Sequence, residues 1–384
     1  MALLSVREAV TRILAGVAPT EAETVPLAEA FGRVLATPLA ALRTQPPFPA
    51  SAMDGYALRA ADARAGTRLK VIGASIAGKG FAGRIGPGEA VRIFTGAPVP
   101  EGADAILIQE NGEAGNGAVT VREAPPPGRH IRPAGLDFRE GDALLAAGRK
   151  LEARELALAA AMNHAAVPVR RRPLVAVLAT GDELVPPGGT PGPDEIVASN
   201  TFGIAAQVAK AGGTPRDLGI VRDDRVAIAR AVDAARSANA DILVTLGGAS
   251  VGEHDLVGAV LEERGMALDF WKIAMRPGKP LLFGRLGAMR VLGLPGNPVS
   301  SLVCGILFLE PLIGALLGRP YVEPGEPAVL GADLPANDGR EDYLRARLTR
   351  TPDGALAAAD CLLVRPANAP AGKRGERCRV VRLG

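Results

Sequence analysis

The sequence predicts a multi-domain α/β protein: a doubly wound, mostly parallel sheet unit, an inserted β unit, a helical N-terminal region and a small C-terminal β unit. Three observations carry this. From Pro173 onward, short Val/Ile/Leu runs alternate with longer amphipathic runs, the pattern of a parallel sheet with crossover helices. Between about residues 46 and 139 the chain is instead rich in Gly and Pro around brief apolar runs, the texture of short strands and turns. At 384 residues, with 48% hydrophobic and 22% charged, it is long enough for several cores and too apolar for disorder.

In chain order, Val6, Val10, Ile13, Leu14 and Val17 recur at helical spacing, interrupted by Arg7, Glu8 and Arg12. The start is therefore an amphipathic helix and no signal peptide. Helix is expected up to about residue 42, where Thr44-Gln45-Pro46-Pro47-Phe48-Pro49 stops it. Residues 69–78, 90–94, 105–110 and 118–123 read as strands and 151–163 as a helix, so the β segment interrupts a helical region. The alternating part predicts strands at 174–180, 216–221, 241–246, 268–274, 280–284 and 290–294, with helices at 201–213, 224–238 and 255–265. Val299 to Gly318 is apolar except at Glu310. Its Pro311 and the preceding Pro-Gly-Asn-Pro turn favour two short buried helices over a membrane span. Runs at 343–349 and 377–383 close the chain as β structure. The expected units are 1–45 with 140–170, 46–139, 171–318 and 319–384.

Composition narrows function. Forty-four Lys plus Arg against 41 Asp plus Glu leave a charge of +3, and 3% aromatic residues supply few stacking platforms, so nucleic acid is excluded as a partner. Cys304, Cys361 and Cys378 lie far apart, which argues against a disulfide framework and for a reducing cytoplasm, with no membrane partner.

Three loops leave the carboxyl ends of strands in the alternating unit: Thr180-Gly181-Asp182-Glu183, Gly247-Gly248-Ala249-Ser250-Val251-Gly252 with Asp255, and Pro295-Gly296-Asn297-Pro298. That edge is where open α/β sheets bind ligands. The second loop joins glycines to a helix start near Asp255, an arrangement that suits a phosphate or another oxyanion. It also matches a nucleophile elbow, but His254 is the last histidine in the chain, so a hydrolase triad is absent. Neither a P-loop nor a dinucleotide fingerprint occurs. Asp54, Asp137, Asp182, Glu183, Asp223, Asp224 and Asp255 offer the hard oxygens that Mg²⁺ needs. Lys272, Arg276 and Lys279 place cations on the proline-stiffened Arg276-Pro-Gly-Lys-Pro280 turn, fit for an anion.

Together with Ser51-Ala-Met-Asp-Gly-Tyr56, Ile93-Phe-Thr-Gly-Ala-Pro98, Pro100-Glu-Gly-Ala-Asp104, Thr180-Gly-Asp-Glu-Leu184 and Leu294-Pro-Gly-Asn-Pro298, these ordered motifs resemble one family across most of the chain. It is the molybdopterin molybdenumtransferases, which include MoeA and the gephyrin E domain. The resemblance implies a four-domain homodimer whose clefts lie between the α/β unit of one subunit and the β insertion of the other. It implies insertion of molybdate into adenylylated molybdopterin, with Mg²⁺-dependent release of AMP. By motif, Asp255, Asp223, Glu183 and Asp54 carry the catalytic roles, with Asp223 and Asp255 at the metal. Thr95, Asp137, Thr180, Gly181, Asp182, Gly247, Gly248, Ser250, Gly252, Lys272, Pro295 and Pro298 bind substrate, while Arg276, Lys279, Ser300 and Arg345 receive molybdate. Two positions depart from the family. Arg276 stands where a lysine is common, and Leu363-Val-Arg-Pro-Ala-Asn368 lacks the usual serine. The competing functions are a scaffold of the same fold that has lost its chemistry, and a molybdopterin adenylyltransferase acting one step earlier.

Overall fold

A computed structural model describes residues 3–247, 256–348 and 360–383. Its centre is a six-stranded sheet in the order Thr214–Val221, Leu174–Thr180, Ile242–Leu246, Met289–Leu294, Leu282–Leu286, Ala267–Trp271. The first four strands are mutually parallel, and Leu282–Leu286 runs antiparallel to both its neighbours. Alternation divides the side chains between two cores. Val175 and Val177 enter one with Ile242 and Val244; Ala176 and Leu178 enter the other with Leu243. Burial on both faces explains why these strands read as unbroken apolar runs. Helices Arg225–Ser237 and Leu256–Glu263 cover one face through Ile228, Val232, Val257 and Val260, and Asn200–Ala211 covers the other through Ile204 and Val208. Asp224, one of the acidic loop residues, caps the first of these by accepting from the Ala227 N–H at 2.8 Å.

The N-terminal helix is confined to Val6–Leu14, with Ser5 capping the Glu8 N–H at 3.2 Å. The helix expected to reach residue 42 ends here because Gly16 turns at φ +63° and Pro19 and Pro26 follow. Residues beyond it make strands instead. Ala22–Pro26 pairs antiparallel with Ala166–Arg170, and Leu39–Ala40 pairs with Ala143–Leu145. The chain on either side of the β insertion is thereby stitched together, around Leu35, Phe138, Leu151, Met162 and Val167. The N-terminal helix itself docks elsewhere: Val6, Ala9, Val10 and Ile13 complete the α/β core beside Leu312, Ile313 and Leu316.

Within the insertion a second six-stranded sheet runs in the order Ala105–Ile108, Gly55–Leu58, Glu89–Ile93, Arg68–Ser75, Ala118–Val121, Gly112–Gly115. The apolar run forms one helical stretch, Pro298–Leu316, rather than two separate helices. A π turn over Gly305–Leu309 joins Pro298–Cys304 to Glu310–Leu316, directly ahead of Pro311, whose ring removes an N–H from the ladder. By length and composition this stretch is apolar enough to cross a membrane, yet Val303, Leu307, Phe308, Leu312 and Ile313 are buried in the α/β core. The C-terminal sheet has the order Met275–Arg276, Glu341–Ala346, Cys361–Arg365, Arg377–Arg382, Glu326–Val329. Its first strand is lent by the α/β unit.

Candidate active site

The carboxyl ends of the four parallel strands draw the predicted loops together. Gly247 follows its strand at φ +96° and donates its N–H to the Leu294 carbonyl at 3.3 Å. A Cβ there would lie 2.5 Å from the Thr180 carbonyl, so any side chain would force the strand ends apart. The Gly181 N–H donates to the Val221 carbonyl at 3.2 Å, which ties the remaining strand end into the same edge.

Above this edge lies a cavity of about 340 Å³ lined by Thr180, Glu183, Ser199, Asn200, Gly247, Asn297 and Pro298 among others. Two of the lining residues carry a buried polar atom that has no partner among the described residues: the Thr180 hydroxyl, on a residue 3% exposed, and the Asn200 side-chain amide oxygen. The Asn200 amide instead donates to the Gly296 carbonyl at 2.7 Å, fixing the free oxygen in place. Unpaired buried polar atoms cost stability, and a ligand hydrogen bond offsets that cost. Asn200 was not expected from sequence, and Asn297 was expected only as part of its loop, with no role of its own. Asn297 was readable, since an asparagine ahead of Pro298 and an apolar helix is a cap, and it accepts from the Ser300 N–H at 3.2 Å. The Ser300 hydroxyl also points at the Asn297 side-chain oxygen, at 3.4 Å, and Ser301 bonds the carbonyl of buried Pro295.

Carboxylates gather on one side. Asp182 accepts from Arg222 Nε at 3.0 Å and from the Asp223 N–H at 3.4 Å; the guanidinium chiefly holds its carboxyl below the ordinary range. Asp223 moves the other way, raised first by burial and then by the charges of Asp182 and Glu183. Among the described residues no group of three or more His, Cys, Asp or Glu is placed to hold a metal ion. Gly248, Ser250, Gly252 and Asp255 lie outside the described residues.

The cationic turn is closed by the Ile273 N–H donating to the Lys279 carbonyl at 3.0 Å. Lys272, at φ +81°, sets its Nζ 4.8 Å from the Trp271 ring centre. Lys279 is exposed, while Arg276 donates through Nε (2.9 Å) and Nη2 (2.6 Å) to the two oxygens of Asp342. Asp342 was also missed, because its partner lies 66 positions away and nothing local marks it. Arg345 sits three positions past Asp342 on an unbroken strand, hence on the opposite face of that sheet from the Arg276 pair.

On the inserted sheet, Asp54 accepts both the N–H and the hydroxyl of Thr95 at 2.8 Å, and these bonds, more than nearby Arg92, hold its carboxyl low. Asp137 is exposed on a separate turn, its N–H donating to the Gln45 carbonyl at 3.0 Å. None of the residues lining the cavity comes from 46–139, so within one chain Asp54, Thr95 and Asp137 stand apart from it.

Comparison with known proteins follows the same division. Residues 4–163 match the MoeA N-terminal region (domain I and II), and residues 176–315 match a probable molybdopterin binding domain. A molybdopterin molybdenumtransferase of Haemophilus influenzae is 40% identical over 330 residues, 85% of this chain and 81% of the relative. The chain belongs to the molybdopterin molybdenumtransferase family. Its namesake in Bacillus subtilis is 34% identical across 97% of this chain and 91% of its own. A molybdopterin biosynthesis MoeA protein from a Pyrococcus superposes over 100% of both chains with a TM-score of 0.84 at 30% identity.

Proposed function

We propose that this transferase inserts molybdenum into molybdopterin, taking the adenylylated form as substrate and releasing AMP in an Mg²⁺-dependent step. The cavity carries the reading. Strand ends form one wall of it, and two of its lining residues carry polar atoms, unpartnered among the described residues, that suit a heteroaromatic edge: Thr180 can donate or accept, and the Asn200 side-chain oxygen accepts. Gly247 lines that cavity, and the glycine-rich sequence it opens would take the phosphates.

Asp223, with Asp255, would hold Mg²⁺. The donor types fit: hard oxygens, with Asp223 raised first by burial and then by the charges of Asp182 and Glu183, whose repulsion a divalent cation relieves. When bound, the ion neutralises phosphate charge and makes the adenylate easier to displace. Glu183, on the cavity wall, orients water toward the phosphate, and Asp182 keeps Arg222 and the Asp223 backbone in place. Lys279 and Ser300, with Arg276, receive molybdate, and Lys272, Pro295 and Pro298 contact the substrate; Arg345, on the opposite face of its strand from the Arg276 pair, is left out of the oxyanion site. Asp54, Thr95 and Asp137 complete the cleft of a second subunit in a cytoplasmic homodimer, which accounts for their distance from their own cavity. The division into 1–45 with 140–170, 46–139, 171–318 and 319–384 belongs to the same proposal; hydrophobic clusters of their own support the first, second and fourth units, although the α/β core also takes in Val6, Val10 and Ile13 from the first and Tyr343, Leu362 and Val381 from the last.

The test is direct. Full-length protein given adenylylated molybdopterin, molybdate and Mg²⁺ should release AMP and yield a product that activates a molybdenum-free apoenzyme. Absence of AMP with every divalent metal tried would refute the reading.

A further inference from the structure

Two anions compete for one guanidinium. Resting on the reading that molybdate binds at the Arg276–Lys279 turn, we propose that Asp342 sets the affinity of this site for tetrahedral oxyanions by holding Arg276 in competition with them. Strand pairing brings Arg276 opposite Asp342, so the contact is fixed by backbone register before side chains are considered. Both oxygens of Asp342 are used, at 2.9 and 2.6 Å, and its side chain is 5% exposed. A second carboxylate, Asp338, lies 3.7 Å from Arg276 Nη1 and pairs with Arg340 at 2.7 Å.

Neither Lys279 nor Lys272 has an ion pair among the described residues, so beside them Arg276 is the cation already neutralised. A dianion arriving there meets Asp342 and Asp338 as like charges and must draw Arg276 away from at least one of them. Arginine makes this competition possible. Its planar fork matches a carboxylate and an oxyanion with equal ease, whereas a lysine gives no two-point hold. Asp342 belongs to the C-terminal sheet and Arg276 to the turn, so anion capture and docking of that sheet draw on the same side chain.

Isothermal titration of the full chain with molybdate alone tests this. Asp342→Asn keeps shape and removes the charge; the dissociation constant should fall about three- to tenfold. Asp338→Asn, whose side chain is 51% exposed and tolerant of change, should shift it in the same direction by less, and decides the matter if Asp342→Asn does not fold. In an Arg276→Met background the tightening by Asp342→Asn should vanish. Tightening that persists there would show through-space charge rather than competition, and unchanged or weaker binding in both asparagine variants would overturn the proposal outright. Lys279→Met separates the two levels: unaltered molybdate affinity in that variant would refute the location of the anion site itself.

Discussion

Gly247→Ala probes whether the strand ends must touch. The backbone at φ +96° is one an alanine adopts at a cost of about 1–2 kcal/mol. The new Cβ would also lie 2.5 Å from the Thr180 carbonyl and 3.2 Å from its hydroxyl, and relief of that overlap adds about 1–3 kcal/mol. The sum, about 2–5 kcal/mol, falls on the hinge between two parallel strands and the cavity they roof. Urea denaturation should show a lower midpoint with an unchanged slope, and equilibrium dialysis with AMP should show weakened binding. A variant that keeps both the wild-type midpoint and the wild-type AMP affinity would disprove the close apposition of Thr180 and Gly247.

Thr180→Val removes a buried hydroxyl that has no partner among the described residues, so the fold should gain about 1 kcal/mol in urea titration while molybdopterin affinity drops; undiminished affinity would exclude that hydroxyl as a ligand contact. Asp223→Asn should abolish AMP release yet raise the melting temperature at pH 7. Its folded pKa is raised, so the wild type loses stability as pH climbs through that value, and the gain should disappear below the ordinary aspartate range. A lower melting temperature for the variant at pH 7 would contradict the assigned strain. Glu310, lifted chiefly by burial and partly pulled back by Lys210 and Arg319, follows the same sign. Glu310→Gln should be more stable than wild type at pH 8 and equal to it near pH 4, read by thermal melts across that range.

Much of this was legible from local pattern. The strand at 174–180 reads directly from Leu174-Val-Ala-Val-Leu-Ala-Thr180, because both faces are buried and every position must be apolar or small. Loops at strand ends were found for the same reason, since a change from apolar run to Gly, Asp or Pro marks where the sheet stops. What could not be read is what depends on partners far along the chain. Ala22–Pro26 carries a polar, exposed pattern and becomes a strand only through Ala166–Arg170. Met275–Arg276 looks like part of a cationic turn, and its role as an edge strand of another sheet exists only once Glu341–Asp342 arrives. The same distance hid Asp342, and with it the occupied state of Arg276.

The placement of the first helix has a consequence for biosynthesis. Val6, Val10 and Ile13 leave the ribosome well ahead of residues they pack on, since Leu312, Ile313 and Leu316 are made roughly 300 residues later, after about 15–60 s of translation. Through that interval the newborn segment has an oily stripe with no seat. Chaperone occupancy of this stripe during elongation, and its release once the later helix emerges, would make this early helix settle late.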